Sequence, residues 1–224
     1  STGGDNVSIG TNAGKEHTSG VRNVFIGKEA GQYATTGGYN VFFGNCAGRS
    51  YSAAPNTASY NIAIGDCASR NITSGGCNVI IGKGAGYNSS TASDGVLIGH
   101  MAGYSNSGAS NVLIGAYAGK ANTTGACNII IGRDAGCYGG GSNLTGNDNL
   151  FLGRKTGFYN SSGGCNIFLG QYAGRDVTTG TMNIAIGRHA MHDGTTTGQQ
   201  NIAIGCDAGG SITSGSYNLL FGRD

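Results

Sequence analysis

Asn, three largely apolar residues and a Gly form a five-residue block, typified by Asn23-Val24-Phe25-Ile26-Gly27, that returns thirteen times. It begins at Asn6, Asn23, Asn40, Asn61, Asn78, Gly95, Asn111, Asn128, Asn149, Asn166, Asn183, Asn201 and Asn218. Eight of the twelve intervals are 17 residues long; the others are 21, 16, 21 and 18. Asn opens twelve blocks and Gly closes all thirteen. Two residues later Ala-Gly recurs, as at Ala30-Gly31 and Ala173-Gly174, and Ser/Thr-Gly often precedes the next block, as at Ser19-Gly20 and Thr179-Gly180. So short a unit cannot bury an apolar face alone, whereas stacked copies can. Residues 1–224 therefore read as a single repeat array.

With the opening Asn as position zero, position one is always aliphatic, from Val7 to Leu219, and position three is always Ile, Leu or Phe. Strand side chains alternate, so these two positions share a face. The block is too short for a helix and rich in β-branched residues. Gly and Ser/Thr/Asn clusters then turn the chain. The expected fold is all-β: a parallel β-solenoid or β-roll of about thirteen 17-residue coils. Positions one and three are expected to face the core, with a second, weaker extended segment near the Ala-Gly. The Asn residues, among them Asn23, Asn40, Asn61, Asn78, Asn111 and Asn128, are expected to form an amide ladder between coils.

Composition narrows the classes further. Gly supplies 45 of 224 residues without the period of three that collagen requires, and there is one Pro. A formal net charge of +2 with recurrent Ile, Val, Leu and Phe opposes disorder and offers no footprint for nucleic acid. No apolar run is long enough to span a membrane, so no membrane insertion is expected. Neither end of the array carries a cap, which points to a piece of a longer assembly.

Position two should be polar if it faced water. Instead Phe25, Phe42, Ile80, Leu97, Leu113, Ile130, Phe151, Phe168 and Leu220 are large and apolar. A strand apolar on both faces is buried on both. These nine residues are therefore expected to form an interface with identical chains in an intertwined or side-by-side homotrimer; cover from another segment of the same coil is the simpler alternative.

The unit Asn-x-x-Ile-Gly-x-x-Ala-Gly resembles the heads of trimeric autotransporter adhesins, left-handed parallel β-rolls of three chains. The closest matches are Asn61-Ile62-Ala63-Ile64-Gly65, Asn183-Ile184-Ala185-Ile186-Gly187 and Asn201-Ile202-Ala203-Ile204-Gly205. It is still more similar to repeat arrays of phage tail fibres, where Ile-Gly-x-x-Ala-Gly units run in tandem. The period is longer than in the adhesin heads, and no coiled-coil stalk or membrane anchor is legible. The resemblance implies a structural fibre segment of a virion or cell surface that presents loops to a glycan or protein receptor. A purely architectural filament or sheath, and a monomeric ligand- or ice-binding solenoid, are the alternatives; the missing Thr-x-Thr ladder opposes ice.

No catalytic constellation is legible, and the reading excludes an enzyme and a cofactor. Acidic residues are scattered without a pair suited to acid–base work. Cys46, Cys67, Cys77, Cys127, Cys137, Cys165 and Cys206 are an odd set with no Cys-x-x-Cys. Cys46 and Cys67 share position six of consecutive units, close enough for a disulfide, but free thiols are the expectation. His189-x-x-His192 interrupts the Ala-Gly signature, with Met191 in place of Gly; no third metal ligand is apparent from the spacing. Two units carry four extra residues, around 51–57 and 138–144. Insertions in solenoids emerge as loops, and loops on rigid scaffolds bind. Tyr51, Pro55, Asn56, Tyr60, Tyr138 and Asn143 are the candidate binding residues.

Overall fold

A computed structural model describes residues 2–137 and 143–223 of the chain. Its repeats divide into two compact units, one running to Ser110 and one from Asn111. In the first, β1 (Val7–Ile9), β2 (Val24–Ile26), β3 (Val41–Phe43), β4 (Ile62–Ile64), β5 (Val79–Ile81) and β6 (Val96–Ile98) pair in chain order. The second stacks β7 (Val112–Ile114), β8 (Ile129–Ile131), β9 (Leu150–Leu152), β10 (Ile167–Leu169), β11 (Ile184–Ile186), β12 (Ile202–Ile204) and β13 (Leu219–Phe221). All these pairings are parallel and in register, so Val24 lies beside Val41 and Phe25 beside Phe42. Each unit is thus a parallel β-solenoid, and the described residues contain no helix. The first 21-residue coil keeps register because its extra residues turn back as a hairpin between Tyr51 and Ala54 before the next strand begins.

The invariant Gly of position four has a double cause. At Gly27 φ is +127°, a conformation that L side chains rarely adopt. A Cβ there would also lie 2.5 Å from the carbonyl oxygen of Gly44 in the next coil. Backbone conformation and close stacking therefore demand the same residue. Non-Gly residues occupy the left-handed region elsewhere: position minus one does so in every unit, from Asp5 (φ 58°) to Tyr217 (φ 62°). Each such residue costs on the order of 1–2 kcal/mol, which stacking must offset.

The second extended segment expected near Ala-Gly is instead a run of tight turns. Ala30 donates its N–H to Gly27 three residues back, and Gly31 donates to Ala47 of the next coil. Gln32 again donates within the turn, to Glu29, and Tyr33 again to the next coil, at Arg49. Left-handed residues at positions six and eight, Glu29 and Gly31, bend the chain too sharply for a strand. Regular pairing there is reduced to isolated bridges such as Ala34–Asn56 and Val177–Thr196.

The structure inverts the two expected faces. Position two, not one and three, fills the interior: Phe25, Phe42, Leu97, Leu113, Ile130, Phe151 and Phe168 are fully buried, and Ile80 nearly so. Leu220, in the last strand, is half-buried. These residues project into their own coil and are not an outer interface. Opposite them sit the position-seven alanines Ala30, Ala47, Ala68, Ala85, Ala102, Ala118, Ala135, Ala173, Ala190 and Ala208, each at most 3% exposed. In several coils volume is traded between positions, although the coil of Phe168 buries Val177 as well. Where position two is Ala63, buried Ile72 lies in the same coil; where it is Ala185, buried Met191 does; where it is Phe25, the residue corresponding to Ile72 is Ala34. A narrow core packed to interior density needs such compensation. Phe25 and Phe42 stack at 5.4 Å between ring centroids, and Phe151 and Phe168 at 5.0 Å.

The Asn ladder follows from the same stacking. Asn23 Oδ1 accepts both the backbone N–H of Asn40 (2.9 Å) and its Nδ2–H (3.0 Å). Asn40 Nδ2 also donates to the Ala58 carbonyl at 2.8 Å. The backbone N–H bond to the preceding Asn Oδ1 repeats at Asn61, Asn78, Asn128, Asn149, Asn166, Asn183, Asn201 and Asn218. At Gly95 the N–H still donates to Asn78 Oδ1, but Gly has no amide to pass on.

Candidate functional sites: outer sheet face, inserted loop and histidine turn

With position two inside, positions one and three form the outer face of each strand. Val7 (46% exposed), Ile9 (58%), Phe43 (52%), Ile129 (42%), Leu219 (64%) and Phe221 (68%) are the more open members of these two rows, and most others are partly covered by neighbouring rungs. No charged residue occupies either row. Each unit thus carries an uncharged, apolar sheet surface.

The first insertion folds back on itself. Ala54 N–H donates to the Tyr51 carbonyl at 3.1 Å, closing a tight hairpin whose tip leaves Tyr51 exposed. Tyr51 is engaged from below: Arg70 lies over its ring and over that of Tyr87, 5.3 Å from each centroid, and donates to both hydroxyls. Tyr87 stacks in turn on Tyr104 at 5.1 Å. A second column joins Arg22, Tyr39 and Tyr60, the two tyrosines stacking at 4.9 Å. Tyr60 therefore belongs to a different column from Tyr51. Pro55 and Ser52 line one wall of an open hollow of about 480 Å³, completed by Glu16, Thr18, Tyr33 and Thr35. Asn56 is not an exposed contact, as expected from its place in a loop. It is fully buried, its Oδ1 accepting from Ala58 N and its backbone pairing with Ala34. In the second insertion Tyr138 lies outside the described residues; Asn143 is exposed, next to buried Leu144, which pairs with Asn122.

The seven cysteines are free thiols. Burial, then Asp66 and Cys46, pushes the Cys67 thiol up to about 11, and burial and Glu29 raise Cys46. Both therefore stay protonated near neutrality. Cys77, Cys127 and Cys165 are exposed.

The histidine turn holds a partner that residue spacing concealed. Stacking places position six of successive coils side by side, so Asp207 comes beside His189, with Oδ1 3.4 Å from Nδ1. Reading His189-x-x-His192 against the repeat register, rather than along the chain, is the signal that would have found it. His192 stacks on His189 at 4.3 Å between centroids. Burial first, then His192 and Arg188, holds the His189 imidazole below its usual range, favouring the neutral ring. The Cys206 thiol donates to Asp207 Oδ2 at 3.1 Å and holds that carboxyl below its ordinary range.

Compared with protein-family models, curated proteins and solved structures, the chain matches none.

Proposed function

We propose that this chain is a structural fibre segment that associates with copies of itself, as a homotrimer, and presents its inserted loops to a cell-surface glycan or protein receptor. The single observation that carries the reading is the outer aliphatic face. Val, Ile, Leu and Phe side chains offer on the order of 150 Å² each, and about a third of that stays open. Twelve such positions in the first unit and fourteen in the second leave on the order of 600–700 Å² of apolar surface per unit. That is at the top of the range for a soluble monomer and close to the ~800 Å² a standard interface covers on each partner. Copies of the chain share one rung spacing, so their strands can align rung by rung, which favours copies of the chain as the occupant. The likeness of the unit to tail-fibre and adhesin repeats points the same way and favours a virion or cell exterior.

The hollow beside Pro55 is open and combines the Tyr33 ring with the polar side chains of Glu16, Thr18 and Thr35, a pairing of ring face and hydrogen-bonding groups that suits a sugar ring. The ice-binding alternative is weakened because hydroxyls such as those of Thr18 and Thr73 donate to carbonyls of the next coil.

The attachment half of the proposal is tested with the fluorescently labelled chain on a glycan array and on bacterial cells, beside a variant lacking Ser52–Pro55. The intact chain should bind saturably and the deletion should weaken binding about tenfold or more. No binding by the intact chain, or equal binding by the deletion variant, overturns attachment through this loop and leaves an architectural filament.

A further inference from the structure

We infer that His189, His192 and Asp207 form a binding site for a divalent transition-metal ion of the zinc class, clipping the coil of β11 to that of β12. The three side chains offer one ligand atom each, all within 4.8 Å of one another. Two imidazoles and a carboxylate are a donor set that such ions favour and that Mg²⁺ and Ca²⁺ do not. Ligands about 2.0–2.1 Å from a common tetrahedral ion stand roughly 3.4 Å apart. The separation of His189 Nδ1 and Asp207 Oδ1 is 3.4 Å, too long for a tight charged hydrogen bond and suited to a shared ion.

Surrounding groups already orient the ligands. Asp193 Oδ1 lies 3.0 Å from His192 Nδ1, which fixes the proton there and leaves Nε2 as the lone-pair nitrogen. Tyr172 packs edge-on against the His189 ring at 5.1 Å. The Cys206 thiol occupies Asp207 Oδ2, leaving Oδ1 to the ion. The backbone is equally prepared. His189 and Asp207 share the left-handed conformation of position six, at φ 62° and 60°, and their N–H groups donate to Gln171 and Arg188 of the preceding coils. Met191 takes the place of the usual Gly at φ 51° and is fully buried, anchoring the turn that carries both histidines. Side-chain exposures of 26%, 16% and 35% leave the three ligands open to an ion yet partly withdrawn from water. Asp193 and Asp207 bring two carboxylates to the turn, with the guanidinium groups of Arg188, Arg175 and Arg223 close enough to act on it. Three protein ligands leave the remaining coordination to water.

The test uses the full chain, stripped with a chelator and kept reduced, and titrated with Zn²⁺ by calorimetry. One ion per chain should bind at micromolar affinity or tighter, and millimolar Mg²⁺ or Ca²⁺ should not compete. His192→Gln and Asp207→Asn should each weaken binding about tenfold or more; Asn suits the left-handed turn, so the second variant keeps the fold. Independently of any variant, Zn²⁺ should shift the ring resonances of His189 and His192 and leave those of His100 unmoved. Absence of saturable binding, equal affinity in both variants, or unmoved His189 and His192 rings overturns the site. Equal affinity in the variants would place the ion on the thiols instead.

Discussion

At the scale of single residues, the stack tolerates little at positions where backbone, burial and register coincide. Gly27→Ala would force a Cβ into the Gly44 carbonyl at an unfavourable φ, and should cost at least about 1–3 kcal/mol in denaturant unfolding. Phe42→Ala empties a fully buried site between stacked rings and should cost about 3–5 kcal/mol. Asn61→Ala leaves the buried backbone N–H of Asn78 without its acceptor and should cost about 1–3 kcal/mol. An Asn61 variant of unchanged stability would mean that the ladder is decorative. The thiols separate by environment. With Cys67 pushed up to about 11, roughly one molecule in a thousand carries the thiolate at pH 8. Iodoacetamide should therefore label exposed Cys77, Cys127 and Cys165 well before Cys67, as read by peptide mass mapping. Preferential labelling of Cys67 would contradict the environment described for it.

At the scale of the element, the strand, its register and its closing Gly were legible because every unit repeats them. The face was not. Alternation says that positions one and three share a side and that position two has the other, but both sides are apolar, so polarity could not say which is inward. A subtler signal was present: position two varies from Ala63 to Phe42, and Ile72 stands in the coil where it is smallest. A closed, narrow core demands that balance, whereas an open face does not. The turn at Ala-Gly reads as extended in the sequence because left-handed residues there include Glu29, Tyr172 and His189, types that carry no turn signal of their own. Asp207 was hidden for a related reason: its proximity to His189 is a product of stacking, not of local spacing. Lengthening a coil by four residues should be nearly neutral, since the insertion leaves the stack. Deleting Ser52–Pro55 is thus expected to change unfolding free energy by less than about 1 kcal/mol. A large loss would show that the hairpin at Tyr51 supports the coil it leaves.

At the scale of the whole molecule, each of the two units closes its own core, so association is not needed to bury position two. What association would cover is the outer aliphatic rows. This division of labour separates two effects that the expected arrangement would have joined. Core substitutions should unfold the chain, whereas charges on the outer rows should part the copies and leave the coils intact. The most direct test of the account is the native mass of the chain beside that of an Ile131→Lys/Ile167→Lys variant, with circular dichroism as a check on folding. Both residues are 36% exposed on the outer face, on strands separated by β9. The intact chain should have the mass of three copies, about 67 kDa from 22.4 kDa each, and the variant should be a folded monomer. A monomeric intact chain at all concentrations, or a variant that remains trimeric, would contradict association through this face.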